Sequence, residues 1–332
     1  MGRIVCIGEL LIDFFTAEVD QSLSEAEFFV KKAGGAPANV CAAAVRLGAE
    51  ASFCGKVGRD RFGDFLEETL MKYGVNTRYL MKSDLPTTLA FVTRQQGGER
   101  DFAFNRGADG DVHSEELANF TFDEVLAHFG SATALIEEPF RGAYMTLMAQ
   151  LRENGTFISF DPNFRDALWA EREADYLMAV KECVSLADFV KMSEQEYAQF
   201  KQYLAGLNLQ VTDVSKAVFA VTLGEHGTKL ILGKWEQIVP SIEVESVDTT
   251  GAGDAFVGGV LYQLVDDNAQ EIRKQLIMMR ADGASVEAET WQQLIEIVRF
   301  ANGVGALTCT QIGAMDALPM KKSVLNAIYK TY

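Results

Sequence analysis

In this chain of 332 residues, the groups best suited to chemistry are concentrated in DTTGAGDAFVGG, residues Asp248 to Gly259. Gly251 and Gly253 flank Ala252 and let backbone approach a ligand closely, and the apolar run Ala255 to Val265 behind them reads as a helix. Such a turn aims several free N–H groups, with roughly half a positive charge from the aligned peptide dipoles, at one point. An anion belongs there. Asp254 falls in the first turn of the same helix. A carboxylate beside an anion pocket is repulsive unless it takes a proton, which makes Asp254 a candidate general base for an incoming hydroxyl. The plainer alternative is a helix-start carboxylate favoured by the dipole. The Gly-Ala-Gly turn and Thr249–Thr250 beside it weigh toward the base.

A second motif is AGGAPANVCAAAVRLG, Ala33 to Gly48. Gly34–Gly35 leaves a space free of side chains, and Asn39 lies in the first turn of the helix that follows. An amide both donates and accepts, which suits paired sugar hydroxyls. A glycine turn that merely feeds a helix fits the spacing equally well.

The elements that must position these motifs alternate short apolar strands with longer helical patterns, as in a parallel sheet covered on both faces. The expected strands are Ile4–Ile7, Ala51–Gly55, Ala134–Ile136, Thr156–Asp161, Phe189–Met192 and Val218–Leu223. Ala38 to Leu47, with Pro37 in its first turn and Gly48 as its stop, reads as a helix. So does Arg61 to Tyr73, whose apolar residues recur every three or four positions before Gly74. Two extended segments break the rhythm, residues 14–32 and 87–106, the second alternating around a Gly97–Gly98 turn. They read either as surface hairpins or as a small β-lid over the mouth of the sheet. With no repeat and no charged linker, residues 1–332 read as a single α/β domain.

Composition excludes several functions. Lys and Arg number 30 against 47 Asp and Glu, a net charge of −17, which argues against a nucleic-acid or anionic-membrane surface. The five cysteines are scattered without a C-x-x-C pair, so neither a disulfide framework nor a thiolate zinc site is expected. The N-terminal apolar stretch carries Glu9 and Asp13 and reads as a strand rather than a signal peptide. A reduced, cytoplasmic protein is expected. GELLID holds one glycine where a dinucleotide fold needs G-x-G-x-x-G, and GEHGTK lacks P-loop spacing.

The two glycine motifs resemble the two signatures of the pfkB/ribokinase family of carbohydrate kinases, and other blocks follow the family order along nearly the whole chain. These are GELLIDF, GKVGRDRFG at Gly55 to Gly63, DPNFRDALW at Asp161 to Trp169, KMSEQE at Lys191 to Glu196, TLGEHG at Thr222 to Gly227 and FANGVGAL at Phe300 to Leu307. FNRGAD at Phe104 to Asp109, the DPNFR block and the ending ALTCTQIGAMDALP are most similar to fructokinases. The resemblance implies a ribokinase-like three-layer α/β/α fold with a mostly parallel sheet and a small β-sheet lid. It implies transfer of the ATP γ-phosphate to the primary hydroxyl of a monosaccharide, D-fructose first. Sister substrates are 2-keto-3-deoxygluconate, ribose or a nucleoside; a non-catalytic binding or regulatory homologue is a further alternative.

By the same resemblance Asp254 is the base and the Gly251–Ala252–Gly253 turn the anion hole. Asp13, Gly34, Gly35 and Asn39 would hold sugar hydroxyls, with Arg106 and Arg165 lining the acceptor site. Lys191, Glu196, Thr222, Gly224, Gly227, Asn302 and Gly305 would serve the nucleotide, Glu196 acting on Mg²⁺ through water. Asp248, Thr250 and Gly313 match positions where family members bind K⁺. Ser193 departs from the broad family, which commonly has Asn three residues before the Glu, and so puts a direct magnesium role for that position in doubt. An open-edged lid carrying several Phe residues implies a homodimer formed through it.

Overall fold

Successive side chains of a strand face opposite ways, and in β1 (Arg3–Ile7) this alternation feeds two cores. Ile4 and Cys6 pack with helices Ala36–Leu47, Ala252–Val265 and Ala288–Thr308. Val5 and Ile7 pack with helices Phe140–Glu153, Glu173–Leu186 and Glu194–Gly206 on the other face. Helix, sheet and helix therefore form three layers. The computed structural model describes residues 2–94, 102–130, 132–282 and 286–331.

The remaining strands are β2 (Leu11–Val19), β3 (Phe29–Gly34), β4 (Glu50–Gly58), β5 (Asn76–Ser83), β6 (Leu89–Arg94), β7 (Phe102–Asn105), β8 (Leu126–Gly130), β9 (Phe157–Asp161), β10 (Phe189–Ser193), β11 (Val218–Thr222), β12 (Thr228–Leu232) and β13 (Trp235–Val239). Eight of them join β1 in one nine-stranded sheet, in the order β13-β12-β11-β10-β9-β8-β1-β4-β5. Only β12 and β13 join it antiparallel. Registers such as Ile7↔Phe129, Gly130↔Asp161 and Ser193↔Thr222 bring the carboxyl ends of the parallel strands to one edge. Ligands of open α/β sheets bind along that edge.

One expected strand is corrected. Ala134–Ile136 is a buried turn, and the strand between β1 and β9 is β8, LAHFG. The apolar run reports burial in the second core rather than extension. His128 disguises the true strand; it is buried and meets Ser159 Oγ at 3.1 Å. Burial first, and then Lys191, push its imidazole down to about 3, so it is neutral.

The second, four-stranded sheet has the order β3-β2-β6-β7, with β2 and β6 parallel. It is built from the two segments that break the α/β rhythm, but it begins at Leu11 and its β3 ends at Gly34. The expected Gly97–Gly98 turn lies outside the described residues. The GKVGRDRFG block anchors this sheet: Asp60 caps helix Arg61–Lys72 by accepting from Phe62 and Gly63 N–H, and it also accepts from Thr87 N at 2.7 Å. Burial opposes the charge on Asp60, but these hydrogen bonds hold its carboxyl below the usual value. All five cysteines are free. Among the described residues no helix is long and apolar enough to cross a membrane.

Candidate active site

The DTTGAGD turn folds as its glycines dictate. Gly251 caps helix Ala252–Val265 in the left-handed region, φ +76°, and a Cβ there would lie 2.7 Å from Ala314 Cβ. Only glycine combines that dihedral with that approach. Asp248 fixes the turn from below, its Oδ1 accepting from Thr250 N at 2.9 Å and Thr250 Oγ1 at 2.6 Å. Its Oδ2 accepts from Gly313 N at 2.9 Å, so the three positions expected to serve potassium are brought together.

Asp254, one turn in, is half-buried, and its Oδ2 accepts from Asn39 Nδ2 at 2.8 Å. Burial raises its pKa, against the opposing pull of Asn39, Lys191 and Arg165, so it is a stronger base than a surface aspartate. Lys191 reaches beneath the turn: a Cβ on Gly253 would lie 3.1 Å from its Nζ. It pairs with Asp161 at 3.1 Å. Burial opposes the Lys191 charge, yet Asp161, Glu196 and Asp254 together hold its pKa above the usual value, so it is a cation. Burial drives Asp161 up to about 6 against the pull of Lys191.

Gly35, φ +110°, caps helix Ala36–Leu47; a Cβ there would lie 2.3 Å from the Glu9 carbonyl oxygen. At Gly34 a Cβ would lie 2.0 Å from Asp13 Oδ2, so both glycines keep clear the ground between the small sheet and the helix. Asp13 and Arg165 line the same cavity as Gly35, Asn39 and Asp254. Arg106 does not belong to that lining among the described residues. Its guanidinium donates to Glu137 Oε1 at 2.8 Å and to the Thr133 carbonyl at 2.9 Å, and lies 3.6 Å from Asp109. Two acids draw it to the root of the small sheet.

On the expected nucleotide side, Glu196 is held by two backbone donors, Phe164 N at 2.7 Å and Ser193 N at 2.6 Å. Ser193 returns the bond by capping helix Glu194–Gly206. Burial works against the Glu196 charge; Lys191 and those N–H groups outweigh it and keep the carboxyl below its usual value. Thr222 ends β11, and Gly224 and Gly227 flank the short turn after it. Asn302 is committed inside the fold: its Oδ1 accepts from Thr228 Oγ1 at 2.6 Å, and its Nδ2 donates to the Val239 and Pro240 carbonyls. Gly305 lets helix Ala288–Thr308 close on Ala252, whose carbonyl oxygen would lie 3.1 Å from a Cβ.

One cavity of about 650 Å³ is lined by Asp13, Gly35, Asn39, Arg165, Lys191, Glu196, Gly251, Gly253 and Asp254 together with residues the motif reading passed over, Glu9, Thr133, Asn163 and Gln195 among them, whereas Thr222, Gly224, Gly227, Asn302 and Gly305 are not in its lining. Glu9 stood in view in GELLID, and Asn163 in DPNFR. Among the described residues no cluster of His, Cys, Asp or Glu could hold a metal by itself. A divalent ion fits here only as one carried mostly by phosphates and water, the usual habit of Mg²⁺.

The family pattern of pfkB family carbohydrate kinases matches residues 1–321. The chain belongs to that family. It is 38% identical to Fructokinase-1 of Oryza sativa subsp. japonica over 334 residues, 97% of this chain and 96% of that one. The fructokinase of Xylella fastidiosa with bound ATP superposes with a TM-score of 0.83 at 33% identity, covering 99% of this chain and 98% of that one. A double mutant of the fructokinase from Vibrio cholerae O395, with fructose, ADP and potassium ion bound, gives a TM-score of 0.81 at 30% identity over 99% and 98% of the two chains. The ribokinase-like architecture expected from the sequence is therefore the one observed.

Proposed function

We propose that this kinase transfers the γ-phosphate of ATP to the primary hydroxyl of D-fructose, giving fructose 6-phosphate and ADP. The observation that carries this reading is Asp254, half-buried and held by Asn39, one turn from the left-handed Gly251 cap in a single cavity. The ligands of the related fructokinases support the same acceptor and donor.

In the proposed reaction Asp254 accepts the proton of the sugar's primary hydroxyl. The freed oxygen forms its bond to the γ-phosphorus as the bond from that phosphorus to the β–γ bridging oxygen breaks, leaving ADP. Charge on the moving phosphoryl group is met by the N–H groups of Gly251–Gly253 and the helix dipole, with Lys191 as the nearby cation. Removing one such preorganised donor typically costs about 3 kcal/mol, so the turn outweighs any single distant contact. Positioned base catalysis adds roughly 10²- to 10⁴-fold. Mg²⁺ bound with the nucleotide would neutralise phosphate charge, and Glu196 would help to hold it through water. Asp248, Thr250 and Gly313, tied together beside the turn, would hold K⁺, whose charge would support the anion hole.

Asp13, Gly34, Gly35, Asn39 and Arg165 serve the sugar; Thr222, Gly224 and Gly227 follow the phosphates, and Asn302 and Gly305 set the wall behind them. The small sheet acts as a lid that excludes water during transfer. Val19 and Val30 on that sheet and Phe28 beside it are exposed, which supports a homodimer that covers them. The enzyme acts in the cytoplasm as a single-domain protein. Coupled ADP release across free sugars, keto-acid sugars and nucleosides tests the assignment. D-fructose is expected to give the highest kcat/KM; a keto-acid sugar or nucleoside that exceeds it overturns the choice of acceptor.

A further inference from the structure

Buried polar atoms are nearly always hydrogen-bonded, so orphans that share one cavity describe a missing ligand. Four such atoms belong to residues that line this one: Glu9 Oε2, Asn39 Oδ1, Thr133 Oγ1 and Asn163 Nδ2, none with a partner among the described residues. Their residues are 1%, 7%, 1% and 6% exposed, so bulk water does not satisfy them. Each residue is fixed through another of its atoms. Glu9 Oε1 accepts from Ala36 N at 3.2 Å, and Asn39 Nδ2 donates to Asp254 at 2.8 Å. The Thr133 carbonyl accepts from Arg106 at 2.9 Å. Asn163 N donates to Asp161 Oδ1 at 3.1 Å while its backbone is held left-handed, φ +47°, a conformation that asparagine takes more readily than most non-glycine residues.

The chemistry of the set selects its ligand. Asn39 Oδ1 and an ionised Glu9 Oε2 can only accept, Asn163 Nδ2 can only donate, and Thr133 Oγ1 can do either. A phosphate chain offers acceptors almost alone and leaves Asn39 Oδ1 unsatisfied, and Glu9 Oε2 too once that carboxyl is ionised. A polyhydroxylated sugar offers both. We propose that Glu9, Thr133 and Asn163 are specificity-determining residues that, with Asn39, read the secondary hydroxyls of the acceptor sugar. The inference rests on the sugar-kinase reading above and assigns to the acceptor three side chains which that reading leaves without a role.

Three substitutions test it. Glu9→Gln keeps the oxygen that accepts from Ala36 and turns the free one into a donor; Thr133→Val removes the hydroxyl at similar volume; Asn163→Gly removes the amide and tolerates the left-handed backbone. Assays run at pH 8, above the Glu9 carboxyl at about 7. In variants whose circular dichroism matches wild type, KM for D-fructose is expected to rise at least ten-fold with KM for ATP within two-fold. Each variant also narrows the kcat/KM gap between D-fructose and at least one of its C3, C4 and C5 epimers, psicose, tagatose and sorbose. A purely structural role lowers the melting temperature and leaves those ratios alone. Unchanged fructose KM and unchanged epimer ratios in the folded variants overturn the proposal. A wild type that phosphorylates no ketohexose refutes the underlying sugar assignment instead, a different and earlier failure.

Discussion

Replacing Gly251 by alanine separates the chemical role of the anion turn from its structural one. The new Cβ would start 2.7 Å from Ala314 Cβ. Carbon atoms prefer about 3.5 Å or more, so relief needs a shift of about 0.8 Å in the turn or in the loop facing it. A misplacement of about 1 Å at a reacting centre costs about 10²-fold in rate, in line with about 3 kcal/mol for one lost oxyanion donor. The φ of +76° adds a left-handed penalty of about 1–2 kcal/mol to folding. Gly155→Ala is the control: it carries the same left-handed strain at φ +80°, and its Cβ would meet nothing within 4 Å. Initial rates by coupled ADP release, with melting temperatures alongside, read the two effects apart. Both variants are expected to melt a few degrees below wild type, and only Gly251→Ala to lose about 10²-fold in kcat. If folded Gly251→Ala keeps kcat within three-fold of wild type, the turn does not stabilise the transferring phosphoryl group.

Two further outcomes follow from burial and from the small sheet. Burial is the chief force raising the Glu9 carboxyl from 4.5 to about 7, so the folded state holds the proton more tightly than the unfolded chain. Stability from this group is fully present below pH 4.5 and lost as pH climbs through 7, about 3 kcal/mol at about 1.4 kcal/mol per pH unit; melting curves of ligand-free protein should show Glu9→Gln with a flatter decline from pH 5 to 8, and parallel curves would contradict it. Light scattering at micromolar concentration should give twice the 36.5 kDa chain mass, and a monomer alone would exclude pairing through the small sheet.

What the sequence made legible follows from how locally each feature is encoded. The glycine turn before Ala252 needs only its own residues to take a left-handed cap, and the stop at Gly48 is likewise local, φ +113°. Helix Ala36–Leu47 begins two residues before the expected Ala38 because Gly35 caps it ahead of Pro37. Strands at the sheet's margins escaped notice: β13, WEQIV, is largely exposed and half polar, so it lacks the apolar run that marks a buried strand. Long-range partners were invisible. Nothing near Lys191 in the chain announces Asp161, thirty residues away on β9, and nothing in FNRGAD says that Glu137 draws Arg106 from the cavity. The orphaned atoms of Glu9, Thr133 and Asn163 become evident only where three separate loops meet.

The proton acceptor is the group on which the proposed transfer depends most. Asp254→Asn keeps an oxygen for the Asn39 amide to donate to and removes only the basic charge. Calorimetric titration should find ATP and D-fructose binding within a few-fold of wild type while kcat falls by roughly 10²- to 10⁴-fold. Near-normal turnover in that folded variant would mean that the hydroxyl proton leaves by another route and that Asp254 is no base.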